Sequence, residues 1–418
     1  MTYPAPVSAA PRPVDTAPAE PAAREPANPA GLGGVAGRVM PEDRAKVALP
    51  GTDRAWPVDI TLARAIRAGQ AVGISRLADV TRLDRIGIPT WQAVRPAART
   101  LTVSQGKGMS DQLAMVSAMM ESIELWHAEN PQLNIFTATL DELGPTLGYD
   151  PYLLPLEENA LLHDGLPMEW VTARRLHDGQ PVPVPFRLVN LDFTDPPGWR
   201  ARVFQETSNG LASGNTFVEA TLHALYEVIE RDAICRAHRK GATGTRFDPR
   251  SLGSGPVDQL LDAFAAAEVV VDVRLLPSPL GLPCVSARIV SDDFQVLSGG
   301  YGCHLKTEIA TTRALTEAAQ SRLTVIAGAR DDLTRRTYRP VHRMLPAARD
   351  LDRDLHPLPP AISTSASHEN LLEDLGDLNE RCMTVYSPPL LIDLTQPEIG
   401  IPVSRVIVPG CELNEGLA

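Results

Sequence analysis

Two stretches of this chain, residues 105–124 and 211–230, share one pattern: a short glycine-containing segment leads into an apolar run that carries two glutamates. The pairs are Glu121 with Glu124 in the first stretch and Glu227 with Glu230 in the second. Residues three apart lie on one face of an α-helix, so the two carboxylates of each pair project together. A fainter third copy carries Glu317 and Gln320. The pattern predicts internally repeated strand-turn-helix units.

Hydrophobic periodicity and β-branched runs predict the other elements. Helices are expected at residues 111–129, 216–240 and 257–268, and a third acidic helix after a glycine turn at 299–302. Strands are expected at residues 182–193, 203–207, 269–275, 284–290, 293–298 and 402–410. The first of these is expected at a sheet edge, because Pro183 and Pro185 cannot donate to a ladder. The strands at 284–290 and 293–298 are predicted to form an antiparallel pair.

Composition divides the chain into a tail and a folded body. Residues 1–55 are rich in Pro and Ala, with hardly any large apolar residue before Val39. Such a segment cannot bury enough surface to offset the entropy of ordering, so we predict a disordered tail. Its alternative is a docking arm for a leader peptide or a partner. Residues 56–418 are predicted to form one folded domain, in which the polar, proline-broken residues 331–372 are expected to be mobile.

The net charge of −12, without a basic block among aromatic residues, argues against nucleic acid and anionic membranes as partners. The five cysteines are dispersed and show no C-x-x-C spacing, which favours reduced thiols over a disulfide framework or a zinc site. We find no signal-peptide core and no apolar run of membrane-spanning length. The protein is therefore expected in the cytoplasm.

The paired glutamates lie among apolar neighbours such as Met120, Ile123 and Val228, which indicates largely buried helices. An unpaired charge there would cost several kcal/mol, so something cationic must compensate the carboxylates. Four carboxylates on two helices provide the oxygen ligands that suit a hard cation such as Mg2+ together with the phosphates that it neutralises. The alternative is that Arg231 and Arg322 neutralise the glutamates through salt bridges.

The glycine segments before the two helices are candidate phosphate cradles, because glycine permits close backbone approach and a helix N-terminus presents free amides. Neither segment has the spacing of a Walker motif. Lys107 could reach a phosphate oxygen, while Asn215 and Glu219 could contact nucleotide or metal, with a capping or surface role as the competitor for each. No histidine pair has metal-ligand spacing and no Ser-His-Asp arrangement is evident, so no catalytic residue is assigned.

From about Val72 to Glu412 the sequence resembles the YcaO family, ATP-dependent enzymes that modify peptide backbone amides. The resemblance is carried by both glutamate stretches, by the third copy and by the two ends of the region. The matching positions are Gly106, Lys107, Gly108, Ser117, Glu121, Glu124, Asn209, Gly210, Gly214, Asn215, Glu219, Glu227, Glu230, Arg231, Arg313, Glu317 and Gln320, with residues 84–89 and 406–410. Two positions depart from the family pattern: Leu125 replaces a frequent Arg, and Ala212 replaces a frequent Ser.

The resemblance implies a mixed α/β, YcaO-like fold with the repeated units around a site for ATP and Mg2+. It assigns metal binding to Glu121, Glu124, Glu227 and Glu230. It assigns nucleotide contacts to Lys107, Ser117, Asn215, Glu219, Arg231 and Gln320. In this family a nucleophile adds to an amide carbonyl, and the amide oxygen takes the γ-phosphoryl group of ATP before it leaves as phosphate.

Azoline-forming members commonly end in a proline-rich tail, which residues 414–418 lack, and this chain has no extra domain of a size to bind a leader peptide. We therefore expect a stand-alone enzyme of the TfuA-associated type, which converts an amide of a ribosomally made peptide into a thioamide with a TfuA-like or other partner protein. The alternatives are macrolactamidine or azoline formation and, from another class, a non-catalytic nucleotide-binding scaffold. A homodimer is expected by family analogy alone.

Overall fold

The computed structural model describes residues 31–39, 43, 45–194, 202–338, 355–358, 362 and 367–413. These residues form the mixed α/β fold that was predicted. The helices in the described part of the chain are α1 (Val58–Ala71), α2 (Asp111–Glu129), α3 (Leu140–Leu143), α4 (Phe217–Arg239), α5 (Gly255–Ala266), α6 (Thr307–Ala327) and α7 (Leu371–Val385). The strands are β1 (Val47–Leu49), β2 (Thr52–Arg54), β3 (Arg76–Asp79), β4 (Thr90–Val94), β5 (Val103–Lys107), β6 (Phe136–Ala138), β7 (Met168–Arg175), β8 (Pro181–Pro185), β9 (Leu211–Ser213), β10 (Thr245–Arg246), β11 (Val270–Leu276), β12 (Cys284–Val290), β13 (Ser298–Cys303), β14 (Leu390–Asp393) and β15 (Val403–Ile407).

Three sheets each end in a strand that leads into a long helix. β5 ends the sheet β3-β4-β5 and precedes α2, while β9 ends the sheet β6-β7-β14-β15-β9 and precedes α4. β13 ends the sheet β10-β11-β12-β13 and precedes α6. The neighbouring strands pair antiparallel. That these three segments are copies of one repeated unit stays a prediction.

Glycines in or beside these end strands bring each helix close to its strand. A Cβ added to Gly106 would lie 2.0 Å from the Ala118 nitrogen and 2.1 Å from the Ala114 oxygen, both in the backbone of α2. Gly300 meets the backbone of α6 in the same way, with Ala314 oxygen at 2.2 Å. Any larger residue would force strand and helix apart, so packing accounts for these glycines without a bound phosphate.

Each of the three helices packs into its own apolar cluster. α2 contributes Met119 and Ile123 to a cluster that includes the fully buried Trp170 of β7. α4 packs against α7 and β15, and α6 packs against α5 and the strands β12 and β13. The polar faces of these helices are therefore held in place by extensive burial of their apolar faces.

Several predicted elements are confirmed. α2 and β12 have their predicted bounds, and each end of α4 lies within one residue of the predicted end. Thr216 caps α4 by accepting a hydrogen bond from the backbone N–H of Glu219. The edge position of the proline-bearing strand is also confirmed, because β8 pairs with β7 alone in the described sheet.

Two strand predictions were wrong. The partner of β12 is β13, not residues 293–298, so the glycines expected in a turn at 299–302 lie in a strand. Glycine normally disfavours a strand, but here it is required by the contact with α6. Residues 203–207 form no strand beyond a single bridge between Phe204 and Leu156.

The boundary placed at residue 55 stays a prediction. Residues 1–30 lie outside the described residues, and so does most of the predicted mobile segment 331–372. Before the boundary, Leu32 and Val35 are buried, and β1 and β2 form an antiparallel hairpin. The hairpin is held by ion pairs between Asp53 and Lys306 and between Lys46 and Asp374.

All five cysteines are buried free thiols. Cys284 and Cys303 face each other across β12 and β13 with their sulfur atoms 3.3 Å apart. Among the helices that the structure describes, none combines the length and apolar character that crossing a bilayer requires.

Candidate functional site

Helices α2, α4 and α6 turn polar faces toward one another. The residues on these faces recur every three or four positions, as a helical face requires. They are Ser117, Glu121 and Glu124 on α2, Glu219, His223, Glu227 and Glu230 on α4, and Arg313, Glu317 and Gln320 on α6. Electrostatic repulsion between their carboxylates indicates that the faces converge, since Glu124 repels Glu227 and Glu230 repels Glu317.

A cavity of about 240 Å³ opens between α2 and α4 under the β1–β2 hairpin. Six of the ten predicted site residues line it, namely Lys107, Ser117, Glu121, Glu124, Asn215 and Glu219. The other four, Glu227, Glu230, Arg231 and Gln320, are also described but do not line this cavity. The structure thus separates the predicted set into a group in the cavity and a group beside it.

Glu124 occupies the cavity wall between α2 and β9. It accepts hydrogen bonds from the Ser213 backbone N–H at 2.9 Å and from the Ser213 hydroxyl at 2.6 Å. Burial raises the pKa of Glu124 to about 8 in spite of these bonds, and repulsion by Glu121 and Glu227 adds to the shift. Its charged form therefore lacks a compensating cation.

Glu121 lies one helical turn before Glu124 and accepts a hydrogen bond from the Gln105 N–H at 3.0 Å. Burial raises its pKa, although attraction by Arg330 and Lys107 opposes the shift. The two glutamates of α2 thus face the same space, and burial disfavours the charged form of each.

Glu227 and Glu230 form the second group with Arg231 and Glu317. Burial raises the pKa of Glu227, and burial together with repulsion by Glu317 raises that of Glu230 to about 7. Burial lowers the pKa of Arg231, but attraction by the three carboxylates outweighs it and the pKa is raised. Within the described residues, no hydrogen bond or close ion pair joins the Arg231 guanidinium to them.

Asn215 and Glu219 close the other end of the cavity. The Thr61 hydroxyl donates to the side-chain oxygen Oδ1 of Asn215 at 2.9 Å, and the Asn215 side-chain amide donates to Glu219 at 3.2 Å. The Ala55 N–H also donates to Glu219, at 2.9 Å. A buried carboxylate with several donors is fixed in position, which a ligand contact requires.

Lys107 and Gln320 connect the two groups. The Lys107 ammonium lies 2.9 Å from Glu317 Oε2, and the Gln320 amide donates to the Gln105 carbonyl at 2.9 Å. Burial would raise the pKa of Glu317, but attraction by Lys107 and Arg231 outweighs it and the pKa is lowered. Glu317 is therefore ionised while its neighbour Glu230 resists ionisation.

Arg54 and His223 also line the cavity, and the sequence did not point to them. Arg54 Nη1 lies 2.8 Å from His223 Nδ1 and 3.7 Å from Glu219. Burial lowers the pKa of Arg54, while burial and the Arg54 charge hold that of His223 well below its usual range. The sequence could have indicated His223 as a site residue, since it lies four residues after Glu219 on the same helical face. No sequence pattern indicated Arg54, because it lies in the segment predicted as a tail.

Arg231 and Arg322 do not neutralise the glutamate pairs through salt bridges among the described residues. Arg322 donates instead to Asp84 at 2.8 Å and to Ser291 at 2.7 Å, so its suggested role was wrong. In the part of the chain that the structure describes, Arg231 attracts Glu227 and Glu230 electrostatically but forms no hydrogen bond or close ion pair with them. The carboxylates thus keep free oxygen atoms for another cation.

The donor set fits Mg2+ held together with a nucleotide. No three carboxylate, imidazole or thiol groups within the described ranges are close enough to form a metal site on their own. Mg2+ usually takes one or two carboxylates and fills its remaining positions with phosphate oxygens and water. Burial raises the pKa values of Glu124 and Glu230, so their charged forms would be stabilised by additional positive charge. A cation brought with phosphates would supply it.

Comparisons with known proteins give consistent results. A family model described as YcaO cyclodehydratase, ATP- and Mg2+-binding, matches residues 105–412. An uncharacterised protein of Mycobacterium tuberculosis is 37% identical over 350 residues, which cover 82% of this chain and 78% of the relative. An uncharacterised protein from the tfuA 3′ region of Rhizobium leguminosarum bv. trifolii is 33% identical over 365 residues, covering 82% of this chain and 84% of the relative.

Two solved structures share the fold. One is YcaO from Methanopyrus kandleri bound with AMPPCP and Mg2+, with a TM-score of 0.67 and 24% identity over 88% of this chain and 95% of that one. The other is a heterocyclase in complex with substrate and cofactor, with a TM-score of 0.70 and 21% identity over 88% of this chain. This chain spans 54% of that heterocyclase.

Proposed function

The chain belongs to the YcaO family of ATP- and Mg2+-binding enzymes, and from this premise we propose that it activates a backbone amide of a ribosomally made peptide by phosphorylating the amide oxygen. The predicted family resemblance and YcaO-like fold are confirmed by the family match and by the Methanopyrus kandleri structure. The observation that carries the proposal is the set of four glutamates with raised pKa values between α2 and α4.

We propose two roles for the ten site residues, metal binding and nucleotide contact. Metal binding falls to Glu121, Glu124, Glu227 and Glu230, and nucleotide contacts fall to Lys107, Ser117, Asn215, Glu219, Arg231 and Gln320. Mg2+, when bound, neutralises the charge on the phosphates during phosphoryl transfer. Lys107 sits at the cavity wall as a point charge for a phosphate oxygen, and Asn215 and Glu219 are held ready for polar groups of the nucleotide.

The chain's residues contribute mainly by position and charge. Phosphoryl transfer needs little covalent help from a protein and depends on fixing the donor and acceptor oxygens in line. In the proposed reaction a nucleophile adds to the amide carbon, the amide oxygen takes the γ-phosphoryl group, and that oxygen leaves with phosphate. In this proposal Glu230 and Arg231 balance the charge that develops on the reacting group.

We further propose that the nucleophile is sulfide and the product a thioamide. The support is the 33% identical relative in the tfuA 3′ region, which favours a TfuA-like partner alongside the precursor peptide. A reaction of this kind would take place in the cytoplasm, where ATP and precursor peptides are made. A homodimer remains a proposal from family analogy.

Azoline or macrolactamidine formation is the second candidate, and the family description as a cyclodehydratase favours it. In that case a side chain or an amine of the peptide replaces sulfide as the nucleophile, and one water is lost.

The experiment that separates these outcomes is intact mass spectrometry of the precursor peptide encoded beside the gene. The peptide is incubated with the chain, the neighbouring partner protein, ATP, Mg2+ and sulfide. Exchange of oxygen for sulfur supports thioamidation, and loss of one water supports azoline or amidine formation. A peptide of unchanged mass, with no peptide-dependent phosphate release, contradicts the proposal.

A further inference from the structure

The sheet β10-β11-β12-β13 has a second face that the proposed nucleotide site does not use. α6 covers one face, where Gly300 and Gly302 meet its backbone. The side chains that alternate with these glycines point to the opposite face. They form three rows across β11, β12 and β13. The first row is Asp272, Arg288 and Gly299, the second is Arg274, Ser286 and Tyr301, and the third is Leu276, Cys284 and Cys303. The last row is buried in the core cluster of α4, and the first two are partly open.

Three guanidinium groups share one carboxylate in the open rows. Asp272 accepts a hydrogen bond at 2.8 Å from each of Arg246, Arg274 and Arg288. The Arg288 side chain is 26% exposed, and among the described residues its guanidinium bonds to Asp272 through Nη2 alone, which leaves its Nη1 group for a ligand. A Cβ added to Gly299, opposite Arg288, would meet nothing closer than the Ala287 oxygen at 3.9 Å. Donors are therefore available beside an open space.

Tyr301 connects this face with the proposed active site. Its half-buried ring packs against the apolar cluster of α4. Its phenol interacts electrostatically with Arg288 of this face and also with Glu317, Arg231 and Glu230 of the second group of site residues. A group bound over Gly299 would thus lie next to the second group of site residues.

We propose that Arg274, Arg288, Gly299 and Tyr301, here called the arginine shelf, bind a carboxylate of the peptide substrate. The proposal rests on the proposed function for its choice of a peptide as the ligand. A guanidinium fork suits the two oxygens of a carboxylate. The nucleotide is a poorer candidate, because none of the shelf residues lines the cavity that holds Lys107 and Glu124. A bound carboxylate would fix the peptide relative to the amide that reacts.

The test is fluorescence anisotropy with the full chain and three labelled hexapeptides of glycine and alanine, measured without ATP. One peptide carries a single aspartate and an amidated C-terminus, the second replaces that aspartate with asparagine, and the third is the asparagine peptide with a free C-terminal carboxylate. A charged peptide should bind at least about tenfold tighter than the neutral one, as a charge-assisted hydrogen bond implies. Preference for the first or for the third charged peptide identifies an acidic side chain or the C-terminus as the source.

Two variants test the shelf independently. Arg288→Gln should abolish the preference for charged peptides, and Gly299→Val should weaken their binding by filling the open space. Arg250→Gln is the matched control, because Arg250 is paired with Asp258 and Asp262 on the surface. Equal or undetectable binding of all three peptides, or a preference that survives both shelf variants, would overturn the proposal. Because ATP is absent, failure of peptide modification with carboxylate-dependent binding intact counts against the proposed function alone.

Discussion

The Lys107 ammonium lies 2.9 Å from a carboxylate oxygen of Glu317, and this ion pair joins the end of β5 to α6. Both side chains are about three-quarters buried, at 24% and 25% exposed, so water screens the pair only in part. The pair lies where the cavity group and the second group of site residues meet. The Lys107 ammonium therefore has two negatively charged partners, which are Glu317 in the protein and a phosphate in the proposed complex.

Replacing Lys107 with methionine should raise the KM for ATP. A charge-assisted contact contributes about 1.5–3 kcal/mol, so an increase of roughly tenfold or more is expected. Nucleotide binding measured by calorimetry checks the effect, and Lys240→Met, at an exposed lysine after α4, is the control. In a double-mutant cycle with Glu317→Gln the two changes should not be additive, because the second removes the partner of the first. An unchanged KM would remove Lys107 from the nucleotide site.

Glu121→Gln and Glu227→Gln should each abolish most ATP consumption. Either change removes a negative charge from the proposed metal site while keeping the side-chain volume, so turnover should fall by roughly 10²-fold or more. Phosphate release with peptide present measures the effect, and circular dichroism checks that the fold is kept. Glu158→Gln, at an exposed position, is the matched control. Full turnover in both variants would mean that the metal site lies elsewhere.

Without Mg2+, the stability of the protein should fall as pH rises from about 4.5 to about 8. Glu124 has a folded-state pKa of about 8 against an ordinary value of 4.5, so in this window the folded state binds a proton that the unfolded state has lost. Stability is then highest below the unfolded pKa and decreases up to the folded one. Glu230, with a pKa raised to about 7, acts in the same direction.

Thermal unfolding of wild type and Glu124→Gln across this pH range measures the effect. Glutamine can accept the same hydrogen bonds from Ser213 without the ionisation. The variant should match wild type near pH 4.5 and unfold a few degrees higher near pH 8.5, on the order of the shift that 1 kcal/mol produces. Mg2+ with ATP should stabilise wild type at high pH and have less effect on the variant. Parallel pH curves for the two proteins would refute this assignment.

The long helices of the site could be predicted because their signals are local. The helical spacing of glutamates and small apolar residues predicted the bounds of α2 and α4 to within one residue. A serine caps the N-terminus of α2, and a threonine caps that of α4. The proposed carboxylates followed from the same spacing, since neighbours on a helical face need no knowledge of tertiary structure.

What could not be predicted depends on contacts between distant segments. Arg54 reaches the cavity from a hairpin that composition alone classed with the tail. Arg322 pairs with Asp84, which no spacing rule links to it. The glycines of β13 looked like a turn because their partner, the backbone of α6, is only visible once the chain is folded.

That backbone contact leads to a prediction about stability. Gly106→Ala would place a methyl group about 2 Å from the backbone of α2, so β5 and the helix that carries Glu121 would have to separate. We expect destabilisation of about 3 kcal/mol or more, together with loss of nucleotide binding. The control is Gly255→Ala, where an added Cβ meets nothing within 4 Å. That change should be neutral or stabilise by about 0.5 kcal/mol, because alanine restricts the unfolded chain. Urea unfolding compares the two variants. Equal midpoints would show that the backbone of α2 does not pack closely against Gly106.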